Sequence, residues 1–206
     1  MTKGSWGASK RSLAQVDHIS HDWLTPCEYL PYIDTLLKNI DLDPCSTYDA
    51  NNQFLRAEKI YTYEIDGLNI EEPWTGKTYL FPPTYGRCSF AKKRGTWRWS
   101  LSAGHGAKAP SVIWFRRLLK EWKLRNIPEA LFFTTYPEMI RTCPEMWDFP
   151  VCVPTHRANL IHGKKFECLE SPINWGYFVY LPEINLGFNQ TERFKNIFSH
   201  IGKVIC

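Results

Sequence analysis

No run of apolar residues in this chain outlasts a single strand. Ala130-Leu131-Phe132-Phe133 and Tyr177-Phe178-Val179-Tyr180 are typical, far short of the roughly 20 residues that a membrane helix needs. A membrane-spanning helix is excluded. No apolar stretch follows the polar, basic residues Met1 to Ser12, so no cleaved secretory signal is expected and the expected compartment is cytosol or nucleus. No two of the seven cysteines (27, 45, 88, 143, 152, 168 and 206) stand at Cys-x-x-Cys spacing, which argues against zinc ribbons and dithiol redox motifs and reads as free thiols. His18 and His21 share a spacing but lack the further ligands of a metal signature, so no metal site is expected. No fixed-period repeat occurs, which removes solenoids and propellers.

What is present is a chain of 206 residues, 44% hydrophobic and 15% aromatic, enough for one sizeable aromatic core. Its net charge of +4 is unevenly spread. Eleven basic residues between Arg87 and Arg125 face the single acid Glu121, a local balance of +10 that leaves the remainder at −6. A positive segment on an acidic body is the footprint of contact with phosphates or with an acidic partner; a solvated basic loop and helix face is the plainer reading.

Residues 1–17 read as a flexible basic tail and 18–206 as a single domain. Thr25-Pro26 predicts a helix start, a hydroxyl cap followed by proline, with apolar positions at helical spacing up to Lys38 and Pro31 arguing for a later true start. Strands are predicted at 40–43, 59–62, 77–81, 130–134, 151–153, 158–161 and 177–181, with helices at 111–124 (capped by Ser111), 138–142 and 191–199 (capped by Thr191) and a helix or loop at 48–57. Residues 87–110, carrying Gly95, Gly104, Gly106 and Pro110, read as a long basic loop. Alternating strands and helices predict an α/β fold, a mostly parallel sheet with a terminal antiparallel hairpin and flanking helices. Such a sheet places ligands at the carboxyl ends of its strands. Asp43-Pro44-Cys45-Ser46 and Phe81-Pro82-Pro83-Thr84-Tyr85-Gly86 both fall there.

The ordered set Trp23-x-Thr25-Pro26, Asp43-Pro44-Cys45-Ser46, Asp66-Gly67-Leu68, Trp74 and Pro82-Pro83 with Tyr85-Gly86 resembles the phage Dam-type DNA adenine methyltransferases. The resemblance covers roughly residues 22–86, and Tyr136 to Arg157 looks like the back half of eukaryotic relatives. Within that group the chain is most similar to the noncatalytic Dam-like accessory subunit of ciliate DNA adenine methyltransferase complexes. The resemblance implies a Rossmann-like methyltransferase fold, S-adenosylmethionine held near Asp43, Pro44, Thr25 and Pro26 if its pocket is retained, and a nuclear location.

In the family's motif an Asn or Asp and the following proline carbonyl accept hydrogen bonds from the amine of a flipped adenine, and an aromatic residue stacks on the base. Here Phe81 stands where the acceptor belongs and Thr84 where the aromatic belongs. Phe81 has no acceptor, and losing one preorganised electrostatic contact costs about 10²- to 10³-fold in rate. Phe81, Pro82, Pro83, Thr84 and Tyr85 therefore read as a vestigial motif with no catalytic residue. The resemblance then implies an accessory subunit without its own cofactor, working with a catalytic methyltransferase chain and DNA. Lys92, Lys93, Arg94, Trp97, Arg98, Trp99 and Arg116 are the expected contacts to nucleic acid or partner. Two other functions stay open: an active adenine methyltransferase using another acceptor (Asp66, Glu71, Glu72 or Asp148), and a stand-alone nucleic-acid binder. Trp114 and Trp122 are expected to pack the core.

Overall fold

The computed structural model describes residues 23–62, 65–69, 71–82, 88–93, 96–101, 108–163, 166–168 and 175–206. Its strands are β1 (Trp23–Leu24), β2 (Leu42–Asp43), β3 (Lys59–Ile60), β4 (Thr78–Leu80), β5 (Cys88–Lys93), β6 (Thr96–Leu101), β7 (Ala130–Thr134), β8 (Val151–Pro154), β9 (Ile161–His162), β10 (Tyr177–Leu181) and β11 (Gly202–Ile205). Its helices are α1 (Leu30–Leu37), α2 (Tyr48–Ala50), α3 (Pro110–Lys123), α4 (Met139–Thr142) and α5 (Gly187–Phe198).

Seven strands form one mixed sheet in the order β11-β8-β10-β7-β4-β2-β3. From β3 to β7 the neighbours are parallel; from β7 to β11 they are antiparallel. The expectation of an α/β sheet holds, but its antiparallel part is more than a terminal hairpin, because β10 inserts between β7 and β8 and β11 adds an edge.

Side-chain alternation explains the layers. Along β7 every residue is buried; Ala130 and Phe132 join one apolar cluster, Leu131 and Phe133 the other. A strand buried on both faces needs cover on both. The amphipathic α3 supplies Phe115 and Leu118 to the first face, and α1 and α5 supply Ile33, Leu36, Phe194 and Phe198 to the second. Trp114 is buried, and the half-buried Trp122 donates from its indole nitrogen to the Pro182 carbonyl at 2.8 Å, so both serve packing, as expected.

Several local readings are corrected. Thr25 does not cap a helix: its hydroxyl goes to Tyr79, and Cys27–Tyr29 forms a 3-10 turn before α1, which carries Pro31 in its first turn. Nor does Ser111 cap α3, whose first residue is Pro110 preceded by Ala109; its hydroxyl accepts from Thr134 Oγ1 at 2.9 Å. Thr191 lies inside α5, which begins at Gly187. Cys88–Lys93 and Thr96–Leu101 are not loop but an antiparallel strand pair, β5–β6.

Candidate functional site

In an open α/β sheet, ligands bind beyond the carboxyl ends of parallel strands where the chain switches from building outward on one side to building on the other. Here β3 is added on one side of β2, and β4 then on the other side. The switch point therefore lies at the ends of β2 and β4, at Asp43-Pro44 and Phe81-Pro82.

Asp43 is 3% exposed. One carboxylate oxygen accepts from the Cys45 amide at 3.0 Å. Burial pushes the carboxyl up to about 6, against the opposing effect of hydrogen bonds from the Cys45 amide and the Ser46 hydroxyl. Thr25 and Pro26 are buried. The Thr25 hydroxyl and the Tyr79 hydroxyl are 2.8 Å apart. Burial raises the Tyr79 phenol far above its usual range, the Thr25 bond pulls it down, and the Asp43 charge adds to the rise. Thr25, Asp43 and Tyr79 thus form one buried polar group on the α1 face of the sheet. Tyr79 had no signal in the sequence beyond its place in a predicted strand.

The next motif packs directly on the first. A Cβ on Gly67 would lie 2.1 Å from the Pro44 carbonyl oxygen and 3.1 Å from the Trp114 ring, so only glycine permits this approach. Asp66 adopts the left-handed conformation at φ 57° and turns the chain by accepting from the Leu68 amide at 3.1 Å. The Gly67 carbonyl in turn accepts from the fully buried Trp74 indole at 2.9 Å. Trp74 stacks on Trp114 with centroids 6.1 Å apart, and the Arg117 guanidinium lies over Trp74 at 5.6 Å. Four elements widely spaced in the sequence (Thr25, Asp43-Pro44, Gly67 and Trp74) are therefore linked around β2 and β4.

Phe81 stands where the resemblance expects a side-chain acceptor. Its ring is 8% exposed and joins the cluster of Tyr29, Phe133 and Phe178, with its centroid 4.9 Å from that of Phe133. Pro82 is buried beside it. Pro83, Thr84 and Tyr85 lie outside the described residues, as do the tail 1–17, His18, His21 and Arg94. Of Glu71 and Glu72, the alternative acids, the Glu72 carbonyl accepts from Arg117 at 3.1 Å, whereas the Glu71 amide donates to Asn69 at 3.2 Å.

Among the described residues the fit to S-adenosylmethionine is poor. Asp43, the carboxylate at the switch point, is closed off by burial and occupied by its own turn. Tyr61, just past β3, is 2% exposed and turns its hydroxyl to the Pro73 carbonyl. A groove of about 620 Å³ lined by Asp34, Lys38, Phe54, Arg56 and Glu58 lies instead where the chain enters β2 and β3, away from Asp43.

The expected contact residues fall in two places. The hairpin pairs Lys92 with Trp97, Ala91 with Arg98, Phe90 with Trp99 and Lys93 with Thr96, and among the described residues this ribbon forms a two-stranded sheet of its own. Arg116 stands apart on α3 and grips Glu145 with two nitrogens at 3.0 Å. Although burial alone would raise it, hydrogen bonds from its own amide and from Cys143, with the Arg116 charge, hold the Glu145 carboxyl below its usual range. Arg116 is therefore already paired. No group of three metal-ligating side chains occurs among the described residues. Compared with protein-family models, curated proteins and solved structures, the chain matches none.

Proposed function

We propose that this chain is a catalytically degenerate DNA adenine methyltransferase-like subunit, with a Rossmann-like methyltransferase fold, that assembles with a catalytic chain in the nucleus and assists its hold on DNA. The observation that carries the proposal is the seat of Phe81. Where methyl transfer needs a side-chain acceptor to grip the adenine amine, an apolar ring is built into the core against Phe133. A ring packed in this way supplies no acceptor and leaves the transition state without its preorganised contact.

Two features support the rest of the reading. Among the described residues, the parallel strands, in the order β3-β2-β4-β7, follow the doubly wound order without its third strand. The motifs that the resemblance singles out gather at the switch point, yet their buried side chains are spent on one another: Thr25 on Tyr79, Trp74 on Gly67, Asp43 on Cys45. The region works as a packed scaffold, and no methyl-transfer step is assigned to it. The basic ribbon β5–β6, with Lys92, Lys93, Arg98 and its tryptophans, is the surface assigned to phosphates or to an acidic partner face, because a two-stranded ribbon suits a nucleic-acid groove.

The test is affinity isolation of the tagged chain from its native source at low salt. Co-purification of a chain with an intact adenine methyltransferase motif, and DNA methylation by the isolate, is the expected result. Isolation of the chain with no methyltransferase partner would overturn the proposal.

A further inference from the structure

The ring on which Phe81 packs also anchors an exposed tryptophan. Phe133 lies with its centroid 4.9 Å from that of Phe81 and stacks on Phe178 at 4.5 Å. A Cβ on Gly176 would lie 2.3 Å from the same Phe133 ring, so only glycine permits this approach and the backbone there is pressed against the core. The residue before it, Trp175, is nevertheless 44% exposed. An indole carried on backbone fixed by packing loses little further freedom when something stacks on it.

The Arg157 guanidinium lies over the Trp175 ring at 5.9 Å, within cation–π reach. Arg157 is itself exposed. Arg116, Arg117, Arg141 and Arg193 are each engaged by a glutamate, whereas no carboxylate pairs with Arg157 among the described residues. Residues 155–165 carry Arg157, Lys164 and Lys165 and no acid.

Topology puts this pair on the same end of the sheet as the basic ribbon's attachment. Strand β10 is antiparallel to both β7 and β8, so β8 runs in the same direction as β7 and β4. Arg157 follows β8 and Trp175 precedes β10; both therefore stand at the carboxyl end of β4 and β7. Only β7 separates β10 from β4, a distance of roughly 10 Å. Residues 81–87 alone join β4 to β5, which tethers the ribbon within roughly 30 Å of that end.

We propose that Trp175 and Arg157 form a stacking platform for an unpaired base of single-stranded DNA, with the guanidinium also neutralising the neighbouring phosphate. The inference rests on the reading of the chain as a DNA-binding subunit and names the form of DNA that this second surface takes. Inside a duplex both faces of each base are covered by its neighbours, so an exposed indole stacks only where a base face is free. Aromatic and guanidinium planes are the groups on which such bases stack. A protein partner could also use Trp and Arg, but the cation without an acid near it and the tethered ribbon favour a polyanion.

The test is fluorescence anisotropy of labelled DNA with the full chain, comparing an oligodeoxythymidylate of about 20 nucleotides with a duplex of equal length. Trp175→Ala should weaken single-strand binding by about 10-fold or more and leave duplex binding nearly unchanged, and Trp175→Phe should retain most of the single-strand affinity. Arg157→Gln should weaken single-strand binding and lower its salt slope by about one. Single-strand affinity indifferent to Trp175, or an equal loss on both forms of DNA, would overturn the platform. If the wild type still binds duplex and Lys92→Glu with Lys93→Glu abolishes that binding, the ribbon's role survives such a failure. A wild type that binds neither form overturns the DNA reading and the platform together.

Discussion

Replacing Asp43 by asparagine should stabilise this protein, and the gain should grow with pH. In the fold the Asp43 carboxyl titrates at about 6, against 3.8 for an unperturbed group, chiefly because burial disfavours its charge. The folded state therefore holds the proton more tightly than the unfolded chain. Folding stability tied to this group is fully present below about pH 4 and falls as pH rises toward 6, after which it is flat. The difference of about 2 pKa units corresponds to about 3 kcal/mol. An asparagine keeps an oxygen to accept from the Cys45 amide and the Ser46 hydroxyl, the two donors now facing Asp43, and carries no charge to bury. Urea unfolding of wild type and Asp43→Asn at pH 4 and pH 7.5 measures the effect, and taking the difference between the two proteins cancels every other titrating group. The expected result is near-equal stability at pH 4 and an advantage for the variant of about 2–3 kcal/mol at pH 7.5. A variant less stable than wild type at pH 7.5, or a difference that does not change with pH, would refute the idea that the carboxylate is held in the fold at a cost.

The remaining predictions concern the contacts that assemble the same region. Gly67→Ala should destabilise by about 1–3 kcal/mol in urea unfolding, because the new methyl would lie 2.1 Å from the Pro44 carbonyl. Thr25→Val should cost about 1–3 kcal/mol by stranding the buried Tyr79 hydroxyl, and most of that loss should return in the double variant Thr25→Val with Tyr79→Phe. Glu129, 2% exposed, is bonded by Arg193 and the Tyr180 hydroxyl and lies 3.6 Å from Lys77; Glu129→Gln should lower stability by about 2 kcal/mol or more, and high salt should not mimic it. The motif repair Phe81→Asn with Thr84→Tyr should yield no methyl transfer and should lower the melting temperature, because an amide would replace the ring packed on Phe133.

Much of this architecture was legible in the residues, for reasons that also explain the failures. Ala130–Thr134 and Tyr177–Leu181 appear where expected, because strands buried on both faces read as continuous apolar runs. Helix α3 is likewise found within a residue of its predicted limits, since its apolar stripe marks it. The edge strand Gly202–Ile205, with its alternating half-exposed pattern, gave no such run and was missed. Residues 88–93 and 96–101 read as loop because Gly95 and the basic residues outweigh the alternation of Phe90, Trp97 and Trp99. At the site, it is the resemblance that singles out Thr25, Asp43, Gly67 and Trp74 in order along the chain, and their convergence follows from the parallel β3-β2-β4 order. Spacing could not reveal that Thr25 serves Tyr79 rather than a helix, or that Arg116 is engaged by Glu145. Both depend on residues far apart in sequence.

The proposed function rests on Phe81, a ring packed in the core where the Dam-type motif carries the acceptor for the adenine amine. The most direct measurement is transfer of labelled methyl from S-adenosylmethionine to adenine-containing DNA by the purified chain alone. Incorporation indistinguishable from a protein-free control, with activity appearing only when a catalytic partner is added, is the expected result. Turnover by the isolated chain that rises in proportion to its concentration and disappears in Asp43→Asn would contradict the account.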